Sequence, residues 1–192
     1  MTAQTEALTT YAIDPMHSTA EFSVKHMMVS TVKGRFGNLS GAIHIDEDRP
    51  AESWVEASID AAGVDTGVDM RDADLRSANF LDVATYPKIE FRSTGVEQVD
   101  DDRWRVRGDL TIHGVTREVV LETEFEGRGP DLEGKHRVGF SAQAAFSRRD
   151  FGLTYNPLLE TGGMVVGDNV KVALHIEAVE EDGHIHLRRD GQ

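Results

Sequence analysis

The sequence predicts an all-β fold: an antiparallel sheet of about eight strands, closed around an apolar interior and carrying one short helical insertion. Three observations predict it. From Arg103 to His113 the residues alternate, with Trp104, Val106, Gly108, Leu110 and Ile112 on one side and Arg103, Arg105, Arg107, Asp109, Thr111 and His113 on the other. Such period-two alternation gives a strand one apolar and one wet face. The pattern recurs along the chain, and each apolar face must be covered by others like it. Glycines fall inside one strand-like stretch, at Gly34, Gly37 and Gly41, where they permit the sharp bends that let a sheet curl shut.

Taken in order, residues 1–9 are small and polar and read as a flexible arm. A first strand runs from Thr10 to Ile13 and stops before Pro15. The next puts Ala20, Phe22 and Val24 on one face and Thr19, Glu21, Ser23 and Lys25 on the other. Val32 to Asp46 reads as one long strand with glycine kinks, and the acidic run 46–52 with Pro50 as a turn. Val55, Ala57 and Ile59 alternate with Trp54, Glu56, Ser58 and Asp60. Asp69 to Ala78 breaks the pattern. Asp69 as N-cap, with Asp72 three residues on, predicts a capping-box-like start to a helix of two to three turns. Strands resume at Ile89 and Phe91, then at 103–113, and after His113-Gly114 with Val119, Leu121 and Phe125. Residues 127–134 read as a turn. Val138, Phe140, Ala142, Ala144 and Phe146 make a further apolar face, 147–168 a loop, and Val170 to Ala178 the last strand. The domain therefore spans residues 10–180, with 181–192 a flexible tail.

Composition narrows the function. The 192 residues suit one domain with a sizeable core. The formal net charge of -14 repels phosphate backbones, so no nucleic-acid partner is expected, and it disfavours adhesion to anionic membranes. The absence of cysteine removes disulfides and thiolate chemistry. The stretch MTAQTEALTTYAID has no basic or apolar signal region, and no apolar run is long enough to span a bilayer. A soluble, cytoplasmic protein without stable membrane insertion is the expectation.

Several longer motifs are recognisable: IDPMHSTAEFSVKHMMVSTVKGRF (13–36), RDADLRSANFLDVATYPKIEF (71–91), GDLTIHGVTREVVL (108–121), FSRRDFGL (146–153) and GGMVVGDNVKV (162–172). In these the chain resembles the YceI-like family of polyisoprenoid-binding, lipocalin-like barrels. The resemblance covers most of residues 11–180 in family order. It implies an extended antiparallel barrel whose apolar tunnel holds a long isoprenoid chain, such as a polyprenyl or quinone tail, and it implies homodimers. It also implies a non-enzymatic protein with no metal and no cofactor other than the bound lipid. The chain departs from the family pattern at Asp74, where a histidine is usual, and at Asn79 and Leu81, where aspartate and phenylalanine are usual. These positions bear on any head-group contact carried over from the family.

The alternation and the resemblance together nominate a ligand wall of Phe22, Val24, Phe36, Ile59, Leu75, Phe80, Phe91, Leu110, Ile112, Phe140 and Phe146. Ala20, Ala57, Ala142 and Ala144 on the same face either leave room for a guest or accommodate bulky neighbours. Burying a chain gains about 0.8 kcal/mol per methylene relative to water. Its competing environment is a bilayer, which favours a carrier or reservoir over a sink. The plain alternative for every wall residue is a self-filled core.

The polar candidates are fewer. Asp14, His17 and Ser18 invite a catalytic-triad reading, but the nucleophile elbow is missing and neighbouring strand residues face opposite ways. A capped turn or structural hydrogen bond is the expectation there, and a turn role for His113. His184 and His186 offer two metal ligands at most. In Arg148-Arg149-Asp150, Arg149 either meets a quinone oxygen or phosphate head or pairs with Asp150. Two other functions stay open at this point: an enzyme on an isoprenoid lipid using His17, His113 or Arg149, and a dry-cored dimeric interaction or stress-response module.

Overall fold

The computed structural model describes residues 8–157, 159–160 and 162–181. The strands are β1 (Thr9–Ile13), β2 (Thr19–His26), β3 (Ser30–Phe36), β4 (Ser40–Ile45), β5 (Trp54–Asp60) and β6 (Val64–Asp65), then helix α1 (Asp69–Arg76). They continue as β7 (Lys88–Gln98), β8 (Arg103–Ile112), β9 (Val115–Pro130), β10 (His136–Ser147) and β11 (Val166–Glu180). All pairings are antiparallel.

The ring closes because β1 pairs with both β4 and β11, giving the circuit β1-β4-β5-β7-β8-β9-β10-β11. That is an eight-stranded closed barrel, the size whose interior either fills with side chains or holds one small ligand. The remaining three strands extend it. β11 is long enough to pair with β1 near its C-terminus and with β2 along its first half. β2 then pairs with β3, and β3 with β6. Three neighbouring strands of the wall are thus broken, at residues 14–18, 37–39 and 61–63.

Each break has a local cause. Asp14-Pro15 stops β1, because proline has no N–H for the ladder. The stretch expected as one strand from Val32 to Asp46 instead splits into β3 and β4, with Asn38 in the left-handed region at φ 56° between them. Just beyond, a Cβ at Gly41 would collide with the backbone carbonyl of Glu56, so the chain can cross to β5 only with glycine there.

Two local expectations are corrected. Asp69 does not cap α1: it is the first helical residue, and Val68 holds the cap position without a side-chain bond. Asp72 is buried and accepts hydrogen bonds from the backbone N–H (2.9 Å) and hydroxyl (2.5 Å) of Thr66. It ties the helix to the loop before it rather than to the cap. The turn expected at 127–134 begins later, since β9 runs to Pro130 and a bulge opposite Gly139 absorbs the irregularity.

The apolar packing is divided. One buried cluster, Tyr11, Val138 and Ala178, lies where β1, β10 and β11 meet. A second, Ile112, Val119 and Phe151, lies at the other end of the barrel, packed against Leu81, Ile89 and Phe146. The largest fully buried side chains are only Phe151, Val64 and Ser18. The interior between the clusters is not packed solid.

Candidate functional site: an apolar tunnel

A cavity of about 640 Å³ fills the barrel. Its wall comes from inward positions of nearly every strand, from Ala20, Phe22 and Val24 of β2 to Val166, Val170, Val172, Leu174 and Ile176 of β11. Ten residues of β11 separate Val166 from Ile176. At about 3.3 Å per residue and a barrel tilt near 40°, the void is roughly 25 Å long. It is a tunnel, not a pocket.

All eleven nominated apolar residues, Phe22, Val24, Phe36, Ile59, Leu75, Phe80, Phe91, Leu110, Ile112, Phe140 and Phe146, lie on this wall. Ala20, Ala57, Ala142 and Ala144 line it as well, so small residues here border empty space. Glycine shapes it where aromatic rings cross the strands. A Cβ on Gly108 would stand 2.5 Å from the Phe91 ring and from the Arg92 carbonyl oxygen, so Phe91 lies flat against the wall only over a glycine.

The chemistry of the void follows from its lining. A space this size would take about twenty waters at liquid density. Each needs two to four polar partners, and the strand side chains supply almost none. Polar groups gather at the ends. At one end are Tyr11, His44 and Trp54, with the His44 and Trp54 rings stacked at 3.6 Å and the Thr10 hydroxyl 2.9 Å from His44 Nδ1. The acidic turns that hold Glu47, Asp101 and Asp102 border the same end. At the other end lie Leu75 of α1, Phe80, Leu153 and Arg148.

The arginine expectation is corrected. Arg149 is absent from the wall; it is half-exposed and pairs with Asp168 at 2.8 Å, not with Asp150. Its neighbour Arg148 is the buried one. Arg148 donates to the carbonyls of Gly167 (2.9 Å), Leu153 (2.7 Å), Tyr155 (2.9 Å) and Val166 (3.3 Å). Burial lowers its pKa from the usual arginine value. With its donors spent on backbone, it folds the β10–β11 loop over the barrel end and has no free fork for a head group.

The other polar candidates have structural employment. Ser18 is buried, and its hydroxyl bonds the backbone of Glu177. It is not a free nucleophile. His17 Nδ1 lies 2.9 Å from Asp14 Oδ2. Asp14, His17 and Glu177 come close enough to share a cation, but Arg137 already stands among them. Its Nη1 is 2.9 Å from Asp14 Oδ2 and 2.6 Å from Glu177 Oε1, and its Nε donates to Asp131. The bonds from His17 and Arg137 hold the Asp14 carboxyl well below the usual carboxylate range, and Asp14 raises His17 in return. His113, with φ 53°, and Gly114, with φ 72°, form the tight β8–β9 turn, against the Tyr86 ring at 4.6 Å. His184 and His186 lie outside the described residues.

The outer face is charged. Arg105 pairs with Glu122 at 3.1 Å and Arg107 with Glu118 at 3.7 Å. An apolar inside and charged outside is the reverse of a transmembrane barrel. No helix among the described residues is long and apolar enough to cross a membrane.

Known proteins share this architecture. BcnA from Burkholderia cenocepacia superposes with a TM-score of 0.76 at 23% identity, covering 86% of this chain and 99% of that one. A polyisoprenoid-binding domain from Saccharophagus degradans, implicated in plant cell wall breakdown, superposes at 0.65 with 20% identity, covering 89% and 98%. In sequence, a UPF0312 protein of Vibrio campbellii is 35% identical over 173 residues, 89% of this chain and 87% of the relative. Residues 11–178, which carry the ring, its three broken strands and the tunnel wall, match the YceI-like domain, and the chain belongs to the YceI-like family.

Proposed function

We propose that the protein is a non-enzymatic carrier that binds one long isoprenoid chain, of polyprenyl or isoprenoid-quinone type, along its barrel. The observation that carries this reading is the tunnel itself: about 640 Å³ of elongated space behind an apolar wall. An isoprenoid tail makes no hydrogen-bonding demand and suits such a wall, whereas water does not. The polyisoprenoid-binding domain of Saccharophagus degradans, which has the same fold, supports the same class of guest. A dry-cored interaction module would require a filled interior, which this barrel lacks. The enzyme reading finds no support in His17, His113 or Arg149, each of which is engaged elsewhere.

The test is mass spectrometry of an organic extract from the purified protein, with titration of prenyl quinones read by the fluorescence of Trp54 and Trp104, both on the wall. A co-purifying isoprenoid and saturable quenching are expected. An extract without lipid, together with no quenching, overturns the proposal.

A further inference from the structure

Large exposed apolar side chains are not scattered over this molecule. Among the described residues there are ten, and seven lie at one end of the barrel. Met27, Met28 and Val29 form the tip between β2 and β3. Met164 and Tyr155 belong to the β10–β11 loop, and Val68 and Met70 to the approach to α1. Strand directions place these three connections at the same end, opposite the turns after β4, β7 and β9. Those opposite turns, at 46–53, 99–102 and 131–135, carry nine carboxylates.

The β2–β3 tip is the most pronounced feature. Met28 is 78% and Val29 85% exposed. Met27 and Met28 both adopt left-handed backbone, with φ of 50° and 61°. Glycine or asparagine would hold that turn at less cost, and either would be better solvated. The tip is continuous with the tunnel. Val166, on the tunnel wall, is the register partner of His26, and Met27 N–H donates to the Val165 carbonyl at 2.8 Å. Tyr155 stands edge-on to Phe80, a wall residue, at 5.5 Å.

Charge follows the same geography. From Phe22 to Ile45 the sequence has no carboxylate, the longest such stretch in a chain of net charge -14. The outward face behind the tip carries Lys25 on β2, Lys33 on β3 and Lys171 on β11. Lys33 and Lys171 are both register partners of Ser23, and Lys25 is two residues nearer the tip. The lysines therefore stand roughly 7–14 Å behind the apolar tip at strand rise, the depth at which lipid phosphates lie when such a tip enters the acyl boundary. The acidic end is farther away than the Debye length of about 8 Å at physiological salt. The α1 approach and the β10–β11 loop at the near end also hold exposed Asp69, Asp150 and Glu160, so contact with an anionic surface is favoured at the carboxylate-free β2–β3 tip itself and not across the whole end.

We infer that the β2–β3 tip, with the methionines and tyrosine around it, docks this end of the barrel on an anionic lipid bilayer, the apolar tip entering the acyl boundary and Lys25, Lys33 and Lys171 meeting the phosphates. The inference rests on the carrier reading, because it brings the bilayer to the end of the barrel where Leu75, Phe80 and Leu153 line the tunnel. The occupant is an anionic bilayer because an apolar tip with a lysine belt behind it matches the layered acyl and phosphate chemistry of a bilayer surface. Among the described residues, the acidic end of a second copy offers carboxylates but no exposed apolar cluster to receive the tip.

The experiment uses the full chain and vesicles of phosphatidylethanolamine with about one third phosphatidylglycerol, with pure phosphatidylcholine vesicles as control. Co-sedimentation should favour the anionic vesicles and weaken as salt rises. The variant M28S/V29S should lose about tenfold or more in partitioning, and K25Q/K33Q/K171Q about fivefold per lysine removed. Both variants should still bind a short-tailed quinone presented in detergent. Equal partitioning of wild type and M28S/V29S, or none by wild type, overturns the inference. So does conversion of a wild-type dimer to monomer by M28S/V29S, seen in analytical ultracentrifugation, because the tip is then a self-interface. Failure of wild type to bind quinone in detergent counts against the carrier reading, while the vesicle measurements still decide docking.

Discussion

The Ser18 hydroxyl lies 3.0 Å from both the backbone carbonyl oxygen and the backbone nitrogen of Glu177, donating to the first and accepting from the second. A side chain here does the work of a strand's backbone. β1 and β2 run along the same edge of β11, and between them the chain leaves the ladder at 14–18. Glu177 faces that gap, and Ser18 fills it together with Asp14 N–H, which donates to the same carbonyl at 2.8 Å. Ser18→Ala leaves a buried N–H without its acceptor. The expected loss is about 1–3 kcal/mol, read as a lower midpoint in urea unfolding. An unchanged midpoint would mean that the gap tolerates water and the hydroxyl is incidental.

The alanines on the tunnel wall give a test that separates an open barrel from a packed one. Ala142 and Ala144 of β10 both border the void. In a core of ordinary density, adding a phenyl ring costs typically 1–3 kcal/mol or more through forced rotamers and backbone shifts. In a tunnel the ring enters free space and gains burial. Ala144→Phe is therefore expected to leave stability within about 1 kcal/mol of wild type, or to raise it. The same variant should weaken long-chain quinone binding at least tenfold. Strong destabilisation with unimpaired binding would place the ligand elsewhere.

Much of this was legible because period-two alternation sorts residues by parity. Once Trp104, Val106, Leu110 and Ile112 define an inner face, strand pairing carries that assignment around the ring, and Phe22, Phe36, Phe91 and Phe140 fall on the wall without any knowledge of strand order. Contacts that depend on where a bend falls were not legible. Arg148 and Arg149 are adjacent and chemically identical, and only the short 3-10 turn at Arg148–Phe151 decides which one is buried. Asp72 sits where a capping-box carboxylate belongs, yet Thr66 claims it because the chain turns back over the helix start. The turn at Met27–Val29 lacks the glycine or asparagine that its left-handed backbone favours, so no turn signal marks it in the sequence.

The two arginines give a paired prediction. Arg148 satisfies four carbonyls from a buried position, so Arg148→Met removes the donor from all four at once. Its expected cost is about 3–5 kcal/mol, with the β10–β11 loop opening to proteases first. Arg149 makes a surface pair with Asp168, and Arg149→Gln should cost no more than about 1 kcal/mol. Limited proteolysis and thermal melts of both variants check this. Equal sensitivity would show that Asp168, which both arginines approach, is what holds the loop.

The network around Asp14 gives the fold a pH signature whose sign is fixed. The Asp14 carboxyl is held below its ordinary value of 3.8, first by His17 and then by Arg137. A depressed carboxylate contributes stability that is present above its unfolded value and lost as pH falls through the folded one. His17 is raised above its ordinary 6.5, first by the hydrogen bond to Asp14 and then by the Asp14 charge. A raised imidazole contributes stability that is complete below 6.5 and lost as pH rises through the folded value. Both contributions coexist only between these limits. The stability difference between wild type and Asp14→Asn should therefore peak near about pH 5–6 and shrink on both sides. His17→Gln should abolish the alkaline decline and leave the acidic one, because Arg137 still engages Asp14 at 2.9 Å. Urea midpoints across pH 3–9, with an NMR titration of His17, measure both limbs; a difference that stays flat over that range would remove this network from the account of stability.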